Sequence, residues 1–375
     1  MNIDEAVRAY RTYSCLDCGV CTGSCPVSRV HPSFSPRLIV EKALLSLGDE
    51  LLRDKDLWSC LTCGRCYERC PTSINFPEFM RYLREEAGKR GIVPALSHHG
   101  MLQTVMELQT QGIEQKKTAW AKEAGKVSDE RGDVFYFVGC MPYFNVIFRD
   151  LGVDSLSIGR NIIKVLNAAG IVPVVSDKEA CCGHDMLWNG KLDVFKKLAA
   201  KNIELIRSSG AKRVVFGCPE GYYTFKEHYT QYFGPLGFEV VHFYDFAQKL
   251  IADGALKPSN GMESYTYHDP CRLGRMAKIY ESPRAILETL SGSKIHEMER
   301  NRENAVCCGT TGWANCSSCS KQIQAERLRE AAATGAQTLV TSCPKCRIHL
   351  SCALSTMDTK IEIKDLTALM AESLG

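Results

Sequence analysis

Two cysteine runs of identical spacing constrain this chain more than any other feature of its sequence. The first run is Cys15, Cys18, Cys21, Cys25 and Pro26, and the second is Cys60, Cys63, Cys66, Cys70 and Pro71. This spacing is typical of cubane [4Fe–4S] clusters, each of which takes three cysteines from one run and its fourth from the other. We therefore predict two cubanes that carry electrons. One is held by Cys15, Cys18, Cys21 and Cys70, and the other by Cys60, Cys63, Cys66 and Cys25.

Disulfides and zinc are the alternatives for these cysteines. Disulfides need an oxidising compartment, and the N-terminal sequence MNIDEAVRAYRTY has no apolar run of signal-peptide length. Four-cysteine zinc sites usually consist of two Cys-x-x-Cys pairs. A third close cysteine and a fourth followed by proline favour iron–sulfur ligation over zinc.

Composition limits the remaining classes of function. A chain of 375 residues with 45% apolar residues is typical of a globular protein with two or three domains. A net charge of +3, without basic blocks interleaved with aromatics, excludes nucleic acid as an expected partner. No stretch reaches the roughly 18 apolar residues that span a bilayer. We expect a cytoplasmic protein in an anaerobic setting, which contacts a membrane only through a partner.

The pattern along the chain divides it into four regions. Residues 1–95 are predicted to form an α-helical ferredoxin-type domain, with one amphipathic helix over 37–58 and another over 76–89. Residues 96–132 are predicted to be a helical connector. From residue 133 onward, β-rich runs such as DVFYFVGC, IVPVVS and RVVFGC alternate with helical stretches, which indicates βαβ units and a parallel sheet.

The cysteines of this α/β part are duplicated. Cys140 corresponds to Cys271, Cys181-Cys182-Gly183 to Cys307-Cys308-Gly309, and Cys218-Pro219 to Cys343-Pro344, at offsets of 125 to 131 residues. We therefore predict two copies of one α/β domain, at 133–258 and 259–375, and name them the first and second Cys-Cys-Gly domains.

Each Cys-Cys-Gly domain is predicted to hold metal. In parallel sheets the carboxyl ends of the strands gather ligands in one crevice, and the Cys-Cys-Gly loops would reach the same place. The first domain offers Cys140, Cys181, Cys182 and Cys218, and the second offers Cys271, Cys307, Cys308, Cys343 and Cys346. Gly221 stands where the fifth cysteine of the first domain would be. We expect two unlike sites, the four-cysteine one being sufficient for an ordinary cubane.

With these motifs in place, the chain resembles the D-type polypeptide of heterodisulfide reductase, which is equivalent to the C and B polypeptides fused. The resemblance covers essentially the whole chain and is strongest at YHDPCRLGR, residues 267–275, and SCPKC, residues 342–346. It implies a noncubane [4Fe–4S] cluster on the catalytic cysteines Cys271, Cys307, Cys308, Cys343 and Cys346. In the family two such clusters face a disulfide, typically that of coenzyme M and coenzyme B, and cleave it one electron at a time. Gly221 departs from this pattern, so the five-ligand site is expected in the second domain only.

Two functions remain open. Either this chain reduces a disulfide or a related acceptor, or it relays electrons within a larger complex. The same layout also resembles iron–sulfur subunits of glycolate and anaerobic glycerol-3-phosphate dehydrogenases, and the electron-transfer subunit of aromatic acyl-CoA reductases. Because the sequence has no dinucleotide-binding motif after a predicted strand and no phosphate-binding loop, we expect flavin or nicotinamide to be bound by a partner. That partner is a flavin-containing A-type polypeptide of heterodisulfide reductase or a membrane b-type cytochrome.

Several other residues are open to more than one interpretation. Cys316 and Cys319 form an extra Cys-x-x-Cys, whose spacing suggests a function although a fifth cluster would lack two ligands. Cys352 is expected to be a packed thiol. His184 is a metal ligand, a hydrogen-bonding group or a solvated side chain. His268 and Asp269 either assist proton transfer or support the site structurally. Arg272, Arg275 and Lys345 either bind an anionic substrate or are solvated or paired.

Overall fold

The computed structural model describes residues 3–259, 261, 263–314 and 316–374. Its N-terminal region is α-helical, as predicted. The helices are α1 Ile3–Ala9, α2 Val20–Ser24, α3 Pro26–Val30, α4 Pro36–Leu44, α5 Gly48–Arg53, α6 Arg65–Glu68 and α7 Phe76–Lys89, with 3-10 turns at Thr12–Ser14 and Lys55–Trp58. The short helices α2, α3 and α6 begin within or directly after the cysteine runs, so their positions are set by the metal-binding loops.

The single amphipathic helix predicted over residues 37–58 is wrong. The chain forms α4, α5 and a 3-10 turn instead, because Ser46 adopts a left-handed conformation with a φ of 59°. The break divides the predicted apolar stripe: Ile39 and Leu51 are buried, whereas Leu38 and Leu47 are more than 40% exposed. Apolar spacing identified a helical region here but not the interruption within it.

The connector contains α8 Met101–Leu108 and α9 Ala119–Ala124, with 3-10 turns at Ser97–Gly100 and Gln109–Gln111. The stretches between and after these helices are irregular. Helix α9 packs against the first Cys-Cys-Gly domain, where Asp177 accepts hydrogen bonds from the backbone N–H groups of Lys117 and Thr118. The predicted helical connector is therefore only partly helical, and it is fastened to the domain that follows. The residue boundaries of the four regions stay predictions.

The first Cys-Cys-Gly domain is built on three parallel strands in the order β1-β2-β3, with Val134 opposite Arg213 and Arg213 opposite Glu239. Its elements are β1 Val134–Phe137, α10 Met141–Ile147, α11 Leu156–Ala168, α12 His184–Trp188, α13 Leu192–Ser208, β2 Arg213–Phe216, α14 Pro219–Tyr223, α15 Thr230–Phe233, β3 Glu239–His242 and α16 Phe243–Ala252. A 3-10 turn at Arg149–Leu151 and a π-helical segment at Thr224–Tyr229 complete it.

The strand predicted at IVPVVS is wrong. Of these residues only Val174 pairs with strand β1, as an isolated bridge to Phe135. Pro173 has no backbone N–H to donate, which prevents a regular ladder at this point.

The second Cys-Cys-Gly domain repeats the architecture, with parallel strands in the order β4-β5-β6. Its elements are β4 Tyr265–His268, α17 Glu281–Ser291, α18 Ser318–Ala332, β5 Thr338–Thr341, α19 Pro344–Leu354, β6 Glu362–Asp365 and α20 Leu366–Ser373, with a π-helical segment at Arg272–Met276 and a 3-10 turn at Arg302–Asn304. The fold class is confirmed: an α-helical N-terminal domain precedes two duplicated α/β domains with parallel sheets.

The N-terminal domain shares a hydrophobic core with the second Cys-Cys-Gly domain. Leu57 and Phe79 belong to the same buried cluster as Val306 and Ile323. Helix α20 of the second domain in turn packs against α11 of the first. The second domain thus contacts both of the others. Among the described residues, no helix is long and apolar enough to cross a membrane.

Candidate iron–sulfur centres

The eight cysteines of the N-terminal domain line two adjacent cavities. One cavity is lined by Cys15, Cys18, Cys21 and Cys70, and the other by Cys25, Cys60 and Cys63, while Cys66 borders both. We call the set Cys15, Cys18, Cys21 and Cys70 the outer site, and Cys25, Cys60, Cys63 and Cys66 the inner site. These are the two ligand sets predicted from the spacing. The thiols therefore fit two cubanes, although the assignment of each ligand stays a prediction.

Equivalent residues of the two runs have the same unusual backbone conformation. Asp17 and Thr62, each preceding the second cysteine of its run, have φ values of 52° and 44°. Such strain in a non-glycine residue is maintained only where the surroundings require it. In the inner site the loop aims the backbone N–H of Thr62 at Cys60 Sγ, 3.3 Å away. Hydrogen bonds of this kind stabilise the charge on a ligating thiolate.

The two N-terminal sites differ in solvent exposure. Cys18 of the outer site is exposed, whereas Cys25, Cys60 and Cys63 of the inner site are buried. Burial raises the pKa of Cys25 to about 11 and that of Cys60 to about 12. These thiols lose their protons only when a metal takes them, so the inner site is built for an internal centre and the outer site for one at the surface.

The Cys-Cys-Gly cysteines also converge. In the first domain Cys140 Sγ lies 3.3 Å from Cys181 Sγ, and Cys182 is in the electrostatic field of Cys140, Cys181 and Cys218. In the second domain each thiol is close enough to affect the pKa of the next, in the order Cys271, Cys307, Cys308, Cys346 and Cys343. We call these sets the first site and the second site. Each donor set consists of soft sulfur, which fits iron–sulfur clusters.

The glycine of each Cys-Cys-Gly loop is required by close packing. Gly183 and Gly309 have φ values of +79° and +85°, and a Cβ at either position would lie 2.8 Å from Phe195 or from the Ser320 carbonyl. Only glycine combines this conformation with so little space. The adjacent cysteines are thereby turned inward, toward their site.

The four sites can be placed in order by their neighbours. Cys66 borders both the outer and the inner cavity. Cys63 of the inner site acts electrostatically on Cys307 of the second site, and Cys343 of the second site acts on Cys218 of the first. The order is therefore outer, inner, second, first. The second site lies between the N-terminal domain and the four-cysteine site.

A buried polar network joins the second Cys-Cys-Gly domain to the first. Lys345 forms ion pairs with Asp185 and with Glu220, the latter at 2.6 Å. His184 contacts Asp185 through Nδ1 at 2.9 Å and accepts a hydrogen bond from Arg272 Nε at Nε2. Burial lowers the pKa of His184 despite the neighbouring carboxylates, so the imidazole is neutral. Of its three interpretations, the hydrogen-bonding one is observed.

His184, Asp185 and Glu220 would on their own suit a metal ion. The Lys345 ammonium, however, already provides the cation between the two carboxylates. Burial opposes the charge of Lys345, but Asp185 and Glu220 outweigh it and raise the lysine pKa. We therefore interpret this group as an ion-pair network rather than as a fifth metal site.

Arg272 and Arg275 link the second domain to the N-terminal domain through hydrogen bonds. Arg272 donates to the Thr62 carbonyl at 2.6 Å and to its hydroxyl at 2.8 Å, and its guanidinium lies 4.2 Å from the centre of the Trp188 ring. Arg275 donates to the Cys63 carbonyl at 2.7 Å and to the Ala305 carbonyl at 2.6 Å. Both are buried, so neither is solvated, and these contacts fasten the inner-site loop to the second domain.

His268 and Asp269 make buried contacts that stabilise the segment leading to Cys271 of the second site. Asp269 forms a bidentate ion pair with Arg284, at 2.7 and 2.9 Å, and accepts from the backbone N–H of Arg302. His268 is fully buried and accepts from Arg327 Nε at 3.1 Å, while burial lowers its pKa well below the usual range. Of the two interpretations, the structural role of these residues is the one that the contacts favour.

The remaining cysteines belong to none of the four sites, although Cys316 and Cys319 line a cavity that Cys60 of the inner site also borders. Cys316 is exposed, and Cys319 lies in the first turn of α18, 3.8 Å from the Val30 carbonyl. Cys352 is only partly buried, and Lys321 Nζ lies 2.9 Å from its sulfur. The packed thiol expected at Cys352 therefore has a charged neighbour.

Asp185, Glu220, Arg84 and Thr62 were not singled out from the sequence. One signal was available for Glu220, because the duplication places it opposite Lys345 with reversed charge. The other three interact across domains, and a single sequence does not reveal such contacts.

Comparison with known proteins agrees with this architecture. The family described as "4Fe-4S dicluster domain" matches residues 11–74, and the family described as "Cysteine-rich domain" matches residues 134–226 and 265–351. A solved structure titled as a hypothetical protein from Helicobacter pylori shares the fold, with a TM-score of 0.62 at 10% identity over 100% of this chain and 77% of that one. Fold and sites together define an iron–sulfur protein of the oxidoreductase type.

Curated relatives narrow this class. The D-type polypeptide of the dihydromethanophenazine:CoB–CoM heterodisulfide reductase of Methanosarcina acetivorans is 31% identical over 77% of this chain and 68% of that protein. Its counterpart from Methanosarcina barkeri is 30% identical over 78% and 72%. The "EtfAB:quinone oxidoreductase" of Syntrophomonas wolfei is 30% identical over 60% of this chain and 34% of its own length. The chain belongs to the family of heterodisulfide reductase D-type polypeptides.

Proposed function

We propose that this chain receives electrons at the outer site and delivers them to the second site, where a disulfide or a related acceptor is reduced. The order of the four cysteine sites carries the proposal, because the exposed outer site lies at one end and the five-cysteine site lies beyond the inner one. Two cubanes in the N-terminal domain, a noncubane cluster in the second site and a further cluster in the first complete the proposed cofactors.

The reaction at the second site would be a two-electron reduction. Cleaving one sulfur–sulfur bond takes two electrons and two protons and releases two thiols. The electrons come from a partner protein that carries flavin or haem, and iron–sulfur clusters supply the capacity to pass them singly. The names of the Methanosarcina relatives support the disulfide of coenzyme M and coenzyme B as a candidate substrate.

The residues around the second site support such a reaction. Cys307, Cys308, Cys343 and Cys346 are at most 5% exposed, so bulk water is kept away from the centre. The Asp269–Arg284 pair stabilises the segment that carries Cys271, and the Lys345 network fixes the first turn of α19, between Cys343 and Cys346. Cys271 is the least buried of the five, which makes its side of the site the side open to a substrate.

A relay role is the second candidate, and Gly221 is the observation that favours it. A mechanism in which two five-cysteine sites face one disulfide needs a fifth ligand in each domain, and the first domain has none at this position. Relatives named as quinone-linked and membrane-anchored redox proteins are consistent with a relay.

Electron paramagnetic resonance (EPR) separates these two functions. The anaerobically purified chain is oxidised with a dye, and its spectrum is recorded with and without a panel of candidate thiols. A new signal that requires thiol, and that disappears in Cys307→Ser but persists in Cys140→Ser, would support chemistry at the second site. If no thiol changes the spectrum while the reduced cubane signals are present, this chain is a relay.

A further inference from the structure

Four buried arginines surround the inner site. Arg65, Arg84, Arg272 and Arg275 are at most 7% exposed. Within the described part of the chain, none of the four lies within ion-pair distance of a carboxylate. A guanidinium is always charged in proteins, and burying an uncompensated charge is costly. These four positive charges therefore need a counter-charge that carboxylates do not supply.

The hydrogen-bond acceptors of these arginines are mostly neutral backbone carbonyls, and three of these carbonyls belong to the inner-site loop. Arg84 donates to the Cys60 carbonyl at 2.6 Å, Arg272 to Thr62 and Arg275 to Cys63. Arg84, Arg272 and Arg275 are thus each hydrogen-bonded to a residue of the loop that carries the inner-site cysteines. The approach is close, since a Cβ at Gly64 would lie 2.8 Å from the Met276 methyl group, next to Arg275.

Arg275 is placed between two sites. Its segment, the π-helical turn Arg272–Met276, starts directly after Cys271 of the second site, and its Nε donates to the carbonyl of Cys63 in the inner site. Its Nη1 donates to the carbonyl of Ala305, two residues before Cys307. Its Nη2 is buried and has no hydrogen-bond partner among the residues that the structure describes. Arg65 has two such nitrogens, Nε and Nη1.

The outer site has no comparable arrangement among the described residues. The nearby Arg37 is about one-third exposed and pairs with Asp17 at 2.8 Å. Its charge is therefore both compensated and screened by solvent. The difference between the two N-terminal sites is thus a difference in uncompensated positive charge.

We propose that Arg275 is a counter-cation shared by the inner and second sites, and that with its unpartnered Nη2 it raises the reduction potential of the inner centre above that of the outer one. Its role is to position and tune the centres. The proposal rests on the proposed function in one respect, namely that iron–sulfur clusters occupy these sites.

The physical reason is the charge added on reduction. A cluster held by four thiolates is anionic, and one further electron makes it more so. Burial alone opposes that step, because the additional charge is poorly solvated. A fixed guanidinium nearby favours the reduced form, and a hydrogen bond to sulfur acts in the same direction. Electrons that arrive at the exposed outer site would therefore be drawn inward.

The test is a redox titration of the full-length, anaerobically reconstituted protein, followed by EPR. The inner signal is identified by its loss in Cys63→Ser. In Arg275→Gln we expect the equilibrium constant for one-electron reduction of the inner centre to fall about tenfold or more, which is a downward shift of about 59 mV. The outer signal should not move. Arg275→Lys keeps the charge and loses the two-pronged contact, so it should retain most of the wild-type potential.

Two further variants make the result decisive. Arg37→Gln should leave both potentials unchanged, because that arginine is partly exposed and its charge is compensated by Asp17. Arg65→Gln should lower the inner potential as well, and it serves if Arg275→Gln fails to assemble the inner cluster. An inner potential unchanged in the neutral variants, or shifted equally in Arg275→Lys and Arg275→Gln, would overturn the proposal. The cluster signals themselves would then still support the proposed function, whereas their absence from the wild-type protein would refute it.

Discussion

The two Cys-Cys-Gly domains share one fold but differ at positions next to their cysteine sites. Residues that follow the first cysteine of each domain show this most clearly. The second domain has Arg272 and Arg275, which bind the inner-site loop, whereas the corresponding residues of the first are Met141 and Phe144. Both of these are buried in apolar clusters. Only the second site is thus fastened to the N-terminal domain through these positions.

The fifth ligand position differs in a related way. Cys346 of the second domain corresponds to Gly221 of the first, and Thr341 at the end of β5 corresponds to Phe216 at the end of β2. A Cβ at Gly221 would lie 3.2 Å from the Phe216 ring. At these two positions the first domain has a glycine and an aromatic ring where the second domain has a thiol and a small side chain.

The positions between these ligands are complementary. Glu220 corresponds to Lys345, and the two form an ion pair with each other across the boundary of the domains. Equivalent positions of the two domains thus carry opposite charges, and the ion pair between them joins the domains. The two domains thus differ both in the number of cysteines at their sites and in their contacts with the N-terminal domain, which is consistent with the proposed delivery of electrons to the second site.

The strongest test of this asymmetry is to remove one cysteine from each site. Cys307→Ser should lower the rate of acceptor reduction by more than about 100-fold. Losing a residue that only hydrogen-bonds to a metal ligand typically lowers activity by about 10- to 100-fold, and losing the ligand itself should have a larger effect. Cys181→Ser is the matched change in the first domain and should retain a substantial fraction of the activity. The cubane EPR signals serve as the control for folding. Equal losses in both variants would show that the two domains contribute alike.

Breaking the contact between the domains should have the next largest effect. Lys345→Met leaves Asp185 and Glu220 buried without a cation, which typically destabilises a protein by about 3–5 kcal/mol. We expect a lower midpoint in thermal unfolding followed by circular dichroism. Lys122→Met removes the exposed pair with Asp129 and should leave that midpoint unchanged. A small effect of Lys345→Met would mean that the network does not join the domains.

The cysteine sites and the duplication could be predicted from the sequence, because ligand spacing and repeated motifs are local or periodic signals. The spacing of the two N-terminal runs predicted the sets that line the outer and inner cavities. Repetition of Cys-Cys-Gly predicted two α/β domains, confirmed by the two three-stranded parallel sheets.

What the sequence did not predict depends on contacts between distant parts of the chain. The roles of Arg272 and Arg275 follow from Thr62 and Cys63, about 210 residues away. The break at Ser46 and the missing strand at Pro173 are local, but apolar spacing alone gives such interruptions too little weight. The effect of Phe216 on the fifth ligand position could be recognised only after the two sheets were aligned through the duplication, which places Phe216 opposite Thr341.

A pH dependence should distinguish the first domain from the second. Burial raises the pKa of Glu179 to about 7 despite Lys117 and the backbone N–H groups of Val138 and Gly139. The corresponding residue of the second domain is Ala305. Because the unfolded carboxyl has a pKa of about 4.3, the folded state binds more protons between these values. The stability from this group is present below about pH 4 and is lost as the pH rises toward 7.

The expected slope is at most about 1.4 kcal/mol per pH unit, the effect of one proton. Glu179→Gln should remove it from denaturant unfolding curves recorded between pH 5 and pH 7. Glu204→Gln, a change at an exposed position of α13, is the control and should keep the slope. A slope that persists in Glu179→Gln would assign the pH dependence to another group.

The smallest expected effect concerns the missing ligand itself. Gly221→Cys places a thiol where the duplication predicts one, and the 3.2 Å contact with Phe216 should cost roughly 1 kcal/mol. We expect the EPR signal of the first site to change, while the signals of the other sites and the rate of acceptor reduction stay the same. Phe216→Leu combined with Gly221→Cys gives the thiol more room and should strengthen the change. If neither variant alters the first-site signal, the two domains differ by more than one ligand, and the asymmetry lies in the loops that position Cys140 and Cys218.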